Sequence, residues 1–166
     1  VTIHAVLDWP DRVGWFKRLG IFPSSNSVHT YVWGDWYRVS FGEERAAFIS
    51  PVRATVELGI PYTVHNDSPV VPPDIMRLIS ITVNRETRSG YVLGSEQRAS
   101  VLEALYAVTQ GAAYQYFEEA EKGSITVGKR ADLVILEQSP LTVDPHDLEN
   151  IRVVETFSRG QSVFSR

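Results

Sequence analysis

Three histidines and one aspartate have the residue types and the spacing of a metal-binding site. His4, His29 and His65 lie within or just after three predicted strands, and Asp67 follows His65 by two residues. Neutral imidazole and carboxylate are the ligands that suit zinc and similar divalent ions. In parallel α/β barrels, functional groups sit at the carboxyl ends of the strands and in the loops that follow. The spacing therefore predicts that the imidazoles and the carboxylate meet at one rim.

Each of these residues also has an interpretation without a metal. A single histidine in an apolar strand, such as His4, is often a hydrogen-bonded core residue, and His29 also fits a plain loop position. Asp67 precedes a Ser-Pro step, where it could serve only as a turn former or a cap. His146 is interpreted as a residue of a surface loop or a helix cap.

An aromatic run, Trp33-Gly-Asp-Trp36-Tyr37, supplies a second candidate surface. Residues 26–42 are predicted to form a long loop, and rings in a loop either pack on their own scaffold or line a pocket. Packing is the default for at least one of the two tryptophans, and both Trp33 and Trp36 are candidates for contact with a substrate beside the histidines. The alternative is a non-catalytic ligand- or sugar-binding module that uses Trp33, Trp36 and Tyr37.

The elements that would position these side chains alternate between strands and helices over residues 1–83. Apolar runs at residues 1–7, 21–25 and 60–65 predict buried strands, and helical patterns lie between and after them. This alternation is typical of parallel strands covered by helices. Three such units do not close a barrel, and they would leave open strand edges.

The C-terminal residues have a different pattern. The run Leu133–Leu136 is apolar on both faces and predicts a covered strand. Residues 151–157 and 161–164 flank Arg159-Gly160 and predict a hairpin. Between the two regions, Ser100 and Glu103 predict a capping box at the start of a helix.

Composition excludes several classes of protein. The 166 residues are 43% hydrophobic and 22% charged, as in a globular domain, and the net charge of −4 argues against a nucleic-acid binder. No apolar stretch approaches the roughly 20 residues that cross a bilayer. The absence of cysteine rules out disulfides and thiol catalysis. It is compatible with a reducing or an oxidising compartment, and a cytoplasmic location is the expectation.

The first residue is Val1, and the only methionine is Met76. We therefore expect the chain to be a processed or trimmed product. The first residues lack the basic start and the long apolar core of a signal peptide.

Longer motifs carry a resemblance to a known family. The segment Lys122–Leu136, KGSITVGKRADLVIL, resembles the segment through which metal-dependent amidohydrolases return from their barrel to a small β-domain. Residues 31–37, 44–47, 50–51 and 65–70 resemble amidohydrolase family 3, the branch that includes N-substituted formamide deformylases. That branch commonly has His-Ser-Asp-Ala-Pro-Val where this chain has His-Asn-Asp-Ser-Pro-Val. The resemblance covers nearly the whole chain.

The resemblance implies an α/β fold in two parts. Residues 1–121 would form the C-terminal portion of a (β/α)8 TIM barrel, strands six to eight, and residues 122–166 the C-terminal strands of a small accessory β-sandwich. The family's His-x-His pair and its further ligands on strands four and five would lie upstream of Val1. A complete barrel takes about 250 residues. We therefore expect this chain to be a fragment that is inactive in isolation.

The resemblance also implies roles for individual residues. His4 matches a metal-binding histidine on strand six. Asp67 matches a strand-eight aspartate that contacts the metal and acts as a proton shuttle. His29 matches a histidine held to face the substrate, whereas His65 belongs to the motif without being a ligand in the family.

The implied activity is metal-dependent hydrolysis of a non-peptide carbon–nitrogen bond, in an amide or a formamide, with zinc as the preferred divalent ion. The expected partner is a small amide-type substrate, with no nucleic acid and no membrane. An exposed apolar face on so short a chain predicts self-pairing into a homo-oligomer.

Overall fold

A computed structural model describes residues 1–166, which form two three-stranded sheets and seven α-helices. The strands are β1 (Thr2–His4), β2 (Pro23–Ser25), β3 (Thr63–Val64), β4 (Leu133–Leu136), β5 (Val153–Ser158) and β6 (Gln161–Ser165). The helices are α1 (Pro10–Leu19), α2 (Val28–Phe41), α3 (Glu43–Ala47), α4 (Val52–Glu57), α5 (Ile75–Asn84), α6 (Val101–Val108) and α7 (Gln110–Gln115). Two 3₁₀ turns cover Ser95–Gln97 and Pro145–Asn150. None of the helices combines the length and the apolar character that crossing a membrane requires.

The first sheet aligns the carboxyl ends of its strands. Its order is β1-β2-β3, both pairs are parallel, and His4 is paired with Ser25. The ladder continues beyond β3, since the His65 amide donates to the Ser25 carbonyl over 3.0 Å. The predicted alternation of parallel strands and helices is confirmed, and the residues that follow all three strands meet at one edge.

Helix α5 closes the main hydrophobic core. Asp74 caps it, since its carboxylate accepts a hydrogen bond from the Arg77 amide over 3.0 Å. Leu78 and Ile79 are at most 2% exposed and pack in a core with residues of β3, α2 and α6. A carboxylate at the N-cap satisfies an amide that has no partner within the helix, which explains why the helix begins there.

The prediction of a long loop at residues 26–42 is wrong, because most of this segment forms the fourteen-residue helix α2. Aromatic and β-branched residues have modest helix propensity, and Gly34 lowers it further. Tertiary packing decides the outcome instead. Val28 is buried in the main core, Tyr37 is buried beside Leu93 in a second cluster, and Gly34 lets the helix approach Thr87.

The second sheet is antiparallel, in the order β4-β5-β6, and the predicted hairpin around Arg159-Gly160 is confirmed. The expectation that β4 is covered is not met. Val134 and Ile135 are 52% and 47% exposed, since β4 is an edge strand and neither of its faces is fully covered in this chain. The first strand is likewise more open than predicted, with Ile3 56% exposed.

A buried arginine joins the loops beside the first sheet. The Arg85 guanidinium donates hydrogen bonds to the carbonyls of Ala47, Ile49, Ser50 and Leu93. Burial lowers its pKa to about 10, so the group stays charged at neutral pH. These bonds fix the loop before α4, whose Ser50 hydroxyl donates to the Asn26 carbonyl over 2.9 Å. Arg85 thereby supports the backbone directly after β2.

Candidate metal centre

His4, His65 and Asp67 converge at the carboxyl edge of the first sheet. One candidate ligand atom from each residue lies within 4.8 Å of those of the other two. His4 Nδ1 is 3.1 Å from His65 Nε2. We call these three residues the His–Asp cluster. They come from the ends of β1 and β3, so the aligned edge of the sheet is what brings them together.

Two members of the cluster have an unusual backbone. His4 and Asp67 have φ values of 72° and 55°, in the left-handed region that few non-glycine residues adopt. Such conformations cost about 1–3 kcal/mol and persist where the surrounding structure imposes them. Both residues lie where the chain leaves its strand, and the turn directs their side chains toward a shared space.

Asn26 lies between the two strand ends. Its side chain is fully buried, and its Nδ2 lies 3.4 Å from Asp67 Oδ2 and 3.5 Å from His4 Nδ1. An amide nitrogen can donate to a carboxylate whereas an amide oxygen cannot, so the Oδ1 atom faces away from Asp67. That oxygen is buried and has no hydrogen-bond partner in the protein. Asn26 was not among the predicted site residues, although its position one residue after β2 was a signal.

His29 lies beside the cluster on the first turn of α2. Its ring is stacked on that of His4, with centroids 6.1 Å apart and an interplanar angle of 12°. His29 Nδ1 is 3.1 Å from the Tyr37 hydroxyl, two helical turns further along α2. Tyr37 was considered for stacking only in the alternative of a sugar-binding module, and in the structure its hydroxyl contacts His29.

The two predicted substrate-binding tryptophans lie on the outer part of α2. Trp33 is 45% exposed and Trp36 is 56% exposed, and neither indole is stacked on a histidine ring of the site. The Trp36 ring packs against Tyr37, at 5.5 Å between centroids. Substrate contact by the tryptophans stays a prediction, as does the sugar-binding alternative. Since Tyr37 is buried, only the two indoles would be available to stack on a sugar.

Two of the histidines, His29 and His65, have a pKa below the ordinary value. Burial lowers the pKa of His65 and of His29, and the neighbouring His4 lowers both further, whereas Asp67 acts in the opposite direction. Both imidazoles are therefore neutral at pH 7, which is the form that binds metals. His146, in contrast, lies on the surface, with its Nδ1 3.4 Å from Glu86 Oε1.

The His–Asp cluster suits a divalent ion. Two imidazoles and a carboxylate form a common donor set for zinc, and donor atoms around a tetrahedral zinc lie roughly 3.4 Å apart. Ligand atoms within 4.8 Å of one another reach that spacing with small side-chain adjustments. The residues present therefore fit a divalent metal ion.

Comparison with known proteins identifies the family of this chain. The sequence profile of the amidohydrolase family matches residues 5–164, nearly the whole chain. This chain belongs to the amidohydrolase family. The match supports its family 3 branch, since the chain is 28% identical over 149 residues to N-substituted formamide deformylase of Arthrobacter pascens. The alignment covers 89% of this chain and 28% of that enzyme.

Solved structures of metal-dependent hydrolases share the fold. An uncharacterized metal-dependent hydrolase from Pyrococcus furiosus superposes with a TM-score of 0.71 and 30% identity, over 84% of this chain and 28% of that one. A metal-dependent hydrolase from Pyrococcus horikoshii gives a TM-score of 0.74 at 26% identity, over 86% of this chain and 29% of that one. The chain thus spans less than a third of each of these proteins. The mixed α/β architecture is consistent with part of a TIM-barrel hydrolase.

Proposed function

We propose that this chain contributes part of the active site of a metal-dependent hydrolase that cleaves a non-peptide carbon–nitrogen bond, an amide or a formamide. The observation that carries the proposal is the convergence of His4, His65 and Asp67 at the carboxyl edge of a parallel sheet, in a chain of the amidohydrolase family. The similarity to a formamide deformylase favours N-substituted formamides as the first substrates to test.

The architecture that we propose follows the same comparison. Strands β1, β2 and β3 would be strands six to eight of a (β/α)8 barrel, within residues 1–121. Strands β4 to β6 would belong to an accessory β-sandwich, within residues 122–166. The parallel order and the shared carboxyl edge support this assignment, because barrel enzymes place their sites at that edge.

In this proposal His4 and Asp67 hold the divalent ion, zinc by preference. When bound, such an ion lowers the pKa of a water molecule and polarises the scissile carbonyl. Asp67 accepts the proton of the attacking water and delivers it to the leaving nitrogen. Asn26 bonds one carboxylate oxygen of Asp67, which leaves the other oxygen available for this transfer.

His29 stabilises the oxygen of the substrate carbonyl as negative charge develops there. Burial raises the pKa of the Tyr37 phenol, which therefore keeps its proton. Its hydroxyl donates a hydrogen bond to His29 Nδ1. The imidazole proton then resides on Nε2, where it can be donated to the substrate. Trp33 and Trp36 would form the outer wall of the substrate pocket.

The test uses protein expressed from the complete reading frame, with metal content and turnover of N-substituted formamides as measurements. Asp67→Asn is expected to lower kcat by about 10²- to 10⁴-fold, the usual contribution of a general acid–base group. Asp11→Asn, at an exposed position in the first turn of α1, is the matched control and should leave kcat unchanged. Unchanged turnover in Asp67→Asn would refute the assignment.

A further inference from the structure

A cavity of about 240 Å³ lies between helices α2 and α5 and the loop at residues 66–72. Most of its wall is aliphatic, with side chains from both helices and from the loop: Val28, Val32, Val71, Leu78 and Ile81. Its volume equals that of roughly eight water molecules in the liquid, below the range of about 300–1,000 Å³ for drug-sized ligands. The cavity therefore suits a small molecule with an apolar body.

One residue of the chain separates the cavity from the candidate metal centre. Asn66 lines the cavity, and its side-chain nitrogen donates to the Pro72 carbonyl over 3.2 Å. Its two neighbours in the chain, His65 and Asp67, belong to the His–Asp cluster, and neither lines the cavity. A molecule in the cavity would therefore be bound by a different set of residues from the metal.

Two arginines meet at the wall of the cavity. The Arg77 and Arg88 guanidinium groups lie over the ring of Tyr31, at 4.7 Å and 5.7 Å from its centroid, and all three residues line the cavity. Attraction to the π face of the tyrosine stabilises both cations at this position. The two like charges repel each other, and an anion bound to both would offset that repulsion.

The hydrogen-bond donors of both guanidinium groups are available to a ligand. Arg77 Nε is 3.8 Å from Glu149 Oε2, which is too far for a hydrogen bond, and Arg88 is exposed. One carboxylate also lines the cavity, that of Asp74, and it accepts a hydrogen bond from the Arg77 amide as the cap of α5. Two positive charges against one negative charge leave the wall net positive.

We propose that this cavity binds a small organic carboxylate, with its carboxylate group held by Arg77 and Arg88 and its apolar body against the aliphatic wall. Guanidinium groups match the planar geometry of a carboxylate through paired N–H donors. The arginines alone would accept any anion, and the aliphatic wall alone would accept a neutral molecule, so their combination selects an anion with an apolar body. The inference is independent of the proposed hydrolase function, because it uses no residue of the His–Asp cluster.

The experiment titrates benzoate into metal-free protein from the complete reading frame, followed by ligand-observed NMR. Metal-free protein is used because carboxylates are also ligands of zinc. We expect benzoate to bind with a Kd on the order of 1 mM, as is reasonable for so small a ligand. Benzyl alcohol, which lacks the charge, and acetate, which lacks the apolar body, should each bind at least about tenfold more weakly.

Two variants test the arginines. Arg77→Gln and Arg88→Gln should each weaken benzoate binding by about 10- to 100-fold, the effect of losing a hydrogen bond from a charged group. Arg18→Gln is the matched control, since the Arg18 guanidinium also lies over an aromatic ring, that of Trp15 on α1, at 5.4 Å from its centroid. This variant should bind benzoate like wild type. Circular dichroism verifies folding, and Arg88 lies in an exposed loop where a substitution is well tolerated.

Several results would overturn the inference. They are the absence of benzoate binding at many times the expected Kd, benzyl alcohol or acetate binding as tightly as benzoate, and unchanged affinity in both arginine variants. Benzoate that binds only the zinc-loaded protein would belong to the metal centre, which refutes this site and leaves the hydrolase proposal standing. Conversely, a protein that hydrolyses no amide or formamide but binds benzoate through the two arginines would refute the proposed function alone.

Discussion

At the scale of single residues, the role that we propose for His29 depends on one hydrogen bond, from Tyr37. The Tyr37 hydroxyl and His29 Nδ1 are 3.1 Å apart, and a phenol whose pKa is raised by burial acts as the donor. The imidazole is then left with its proton on Nε2. Without the phenol, nothing in this contact would prevent the ring from adopting the other tautomer or from rotating.

Replacing Tyr37 with phenylalanine is therefore expected to lower kcat by roughly ten- to a hundredfold, a range typical of a misplaced catalytic group. KM should change less, because the ring volume and its packing are kept. Steady-state kinetics on a formamide substrate would measure both parameters. Tyr91→Phe is the control, since the Tyr91 hydroxyl bonds Glu43 at the surface, and an undiminished kcat in Tyr37→Phe would exclude this role.

The sequence singled out His4, His29 and Asp67 as candidates because their residue types stand out at the ends of predicted strands. It did not single out Asn26 or the contact between Tyr37 and His29. Amide and phenol side chains have no spacing rule that indicates a partner, and their roles arise from contacts with residues distant in sequence. The contact between Asn26 and Asp67, for example, spans forty-one positions and exists only because β2 and β3 are adjacent.

At the scale of elements, helix α2 depends on close approach to the loop at residues 85–93. A Cβ atom built on Gly34 would lie 2.6 Å from Thr87 Cγ2 and 3.1 Å from Leu93 Cδ2. Thr87 is 2% exposed, and its hydroxyl donates to Asp35, so it has little freedom to move. The glycine is required here by packing and not by the helical backbone.

Gly34→Ala is therefore expected to destabilise the protein by about 1–3 kcal/mol, the cost of overpacking. Gly14→Ala is the matched control in helix α1, where a Cβ atom would meet nothing within 4 Å. That change should stabilise the protein by about 0.5–1 kcal/mol, because alanine is the better helix former. Chemical unfolding of the two variants measures both values, and equal effects in the two would contradict the packing argument.

Helices α4 and α6 are joined by an ion pair that gives stability a dependence on pH. The Arg53 guanidinium donates two hydrogen bonds to the Glu103 carboxylate, and the Ser100 amide donates a third. Burial alone would raise the pKa of Glu103, but these hydrogen bonds outweigh it and hold the pKa below the ordinary value. The ionised form therefore stabilises the folded state above the unfolded pKa of about 4.3.

This contribution is expected to disappear as the pH falls through the lowered pKa of Glu103 in the folded protein. Glu103→Gln should lose about 1 kcal/mol at neutral pH, since the pair is partly screened by solvent, and should match wild type in strong acid. Urea unfolding from pH 7 to pH 2 follows the difference, with the exposed Glu44→Gln as control. A constant difference across this range would disprove the linkage.

The elements with local signals were predictable from the sequence. The Ser100–Glu103 capping box is confirmed, because its two residues are only three positions apart. Helix α2 was missed because packing against α5 and residues 85–93 overrides its composition. The ion pair with Arg53 was also beyond prediction, since its partners are fifty positions apart.

At the scale of the whole molecule, both sheets have open sides. Strands β1 and β3 are the outer strands of the first sheet, and side chains of β4 and β6, such as Val134 and Val163, are 52% and 62% exposed. Apolar surfaces and unpaired strand edges of this kind favour pairing with further chain or association between copies. The sequence predicted the open edges of the first sheet, because three strand–helix units are too few to close a barrel. It did not predict the exposure of β4, because an apolar sequence does not show whether another element covers the strand.

Open edges have a consequence for catalysis. The His–Asp cluster provides donors from only two strands, and the outer edges of β1 and β3 are not paired with a further strand. Catalysis requires reacting groups to be held in a defined geometry, and a small displacement costs up to about a hundredfold in rate.

We therefore expect residues 1–166 alone to show no measurable turnover of N-substituted formamides, under conditions where protein from the complete reading frame is active. Zinc titration and turnover assays of both proteins, with circular dichroism to verify folding, provide the comparison. Equal kcat values for the two proteins would contradict this expectation and would show that the three strands hold the catalytic groups without further restraint.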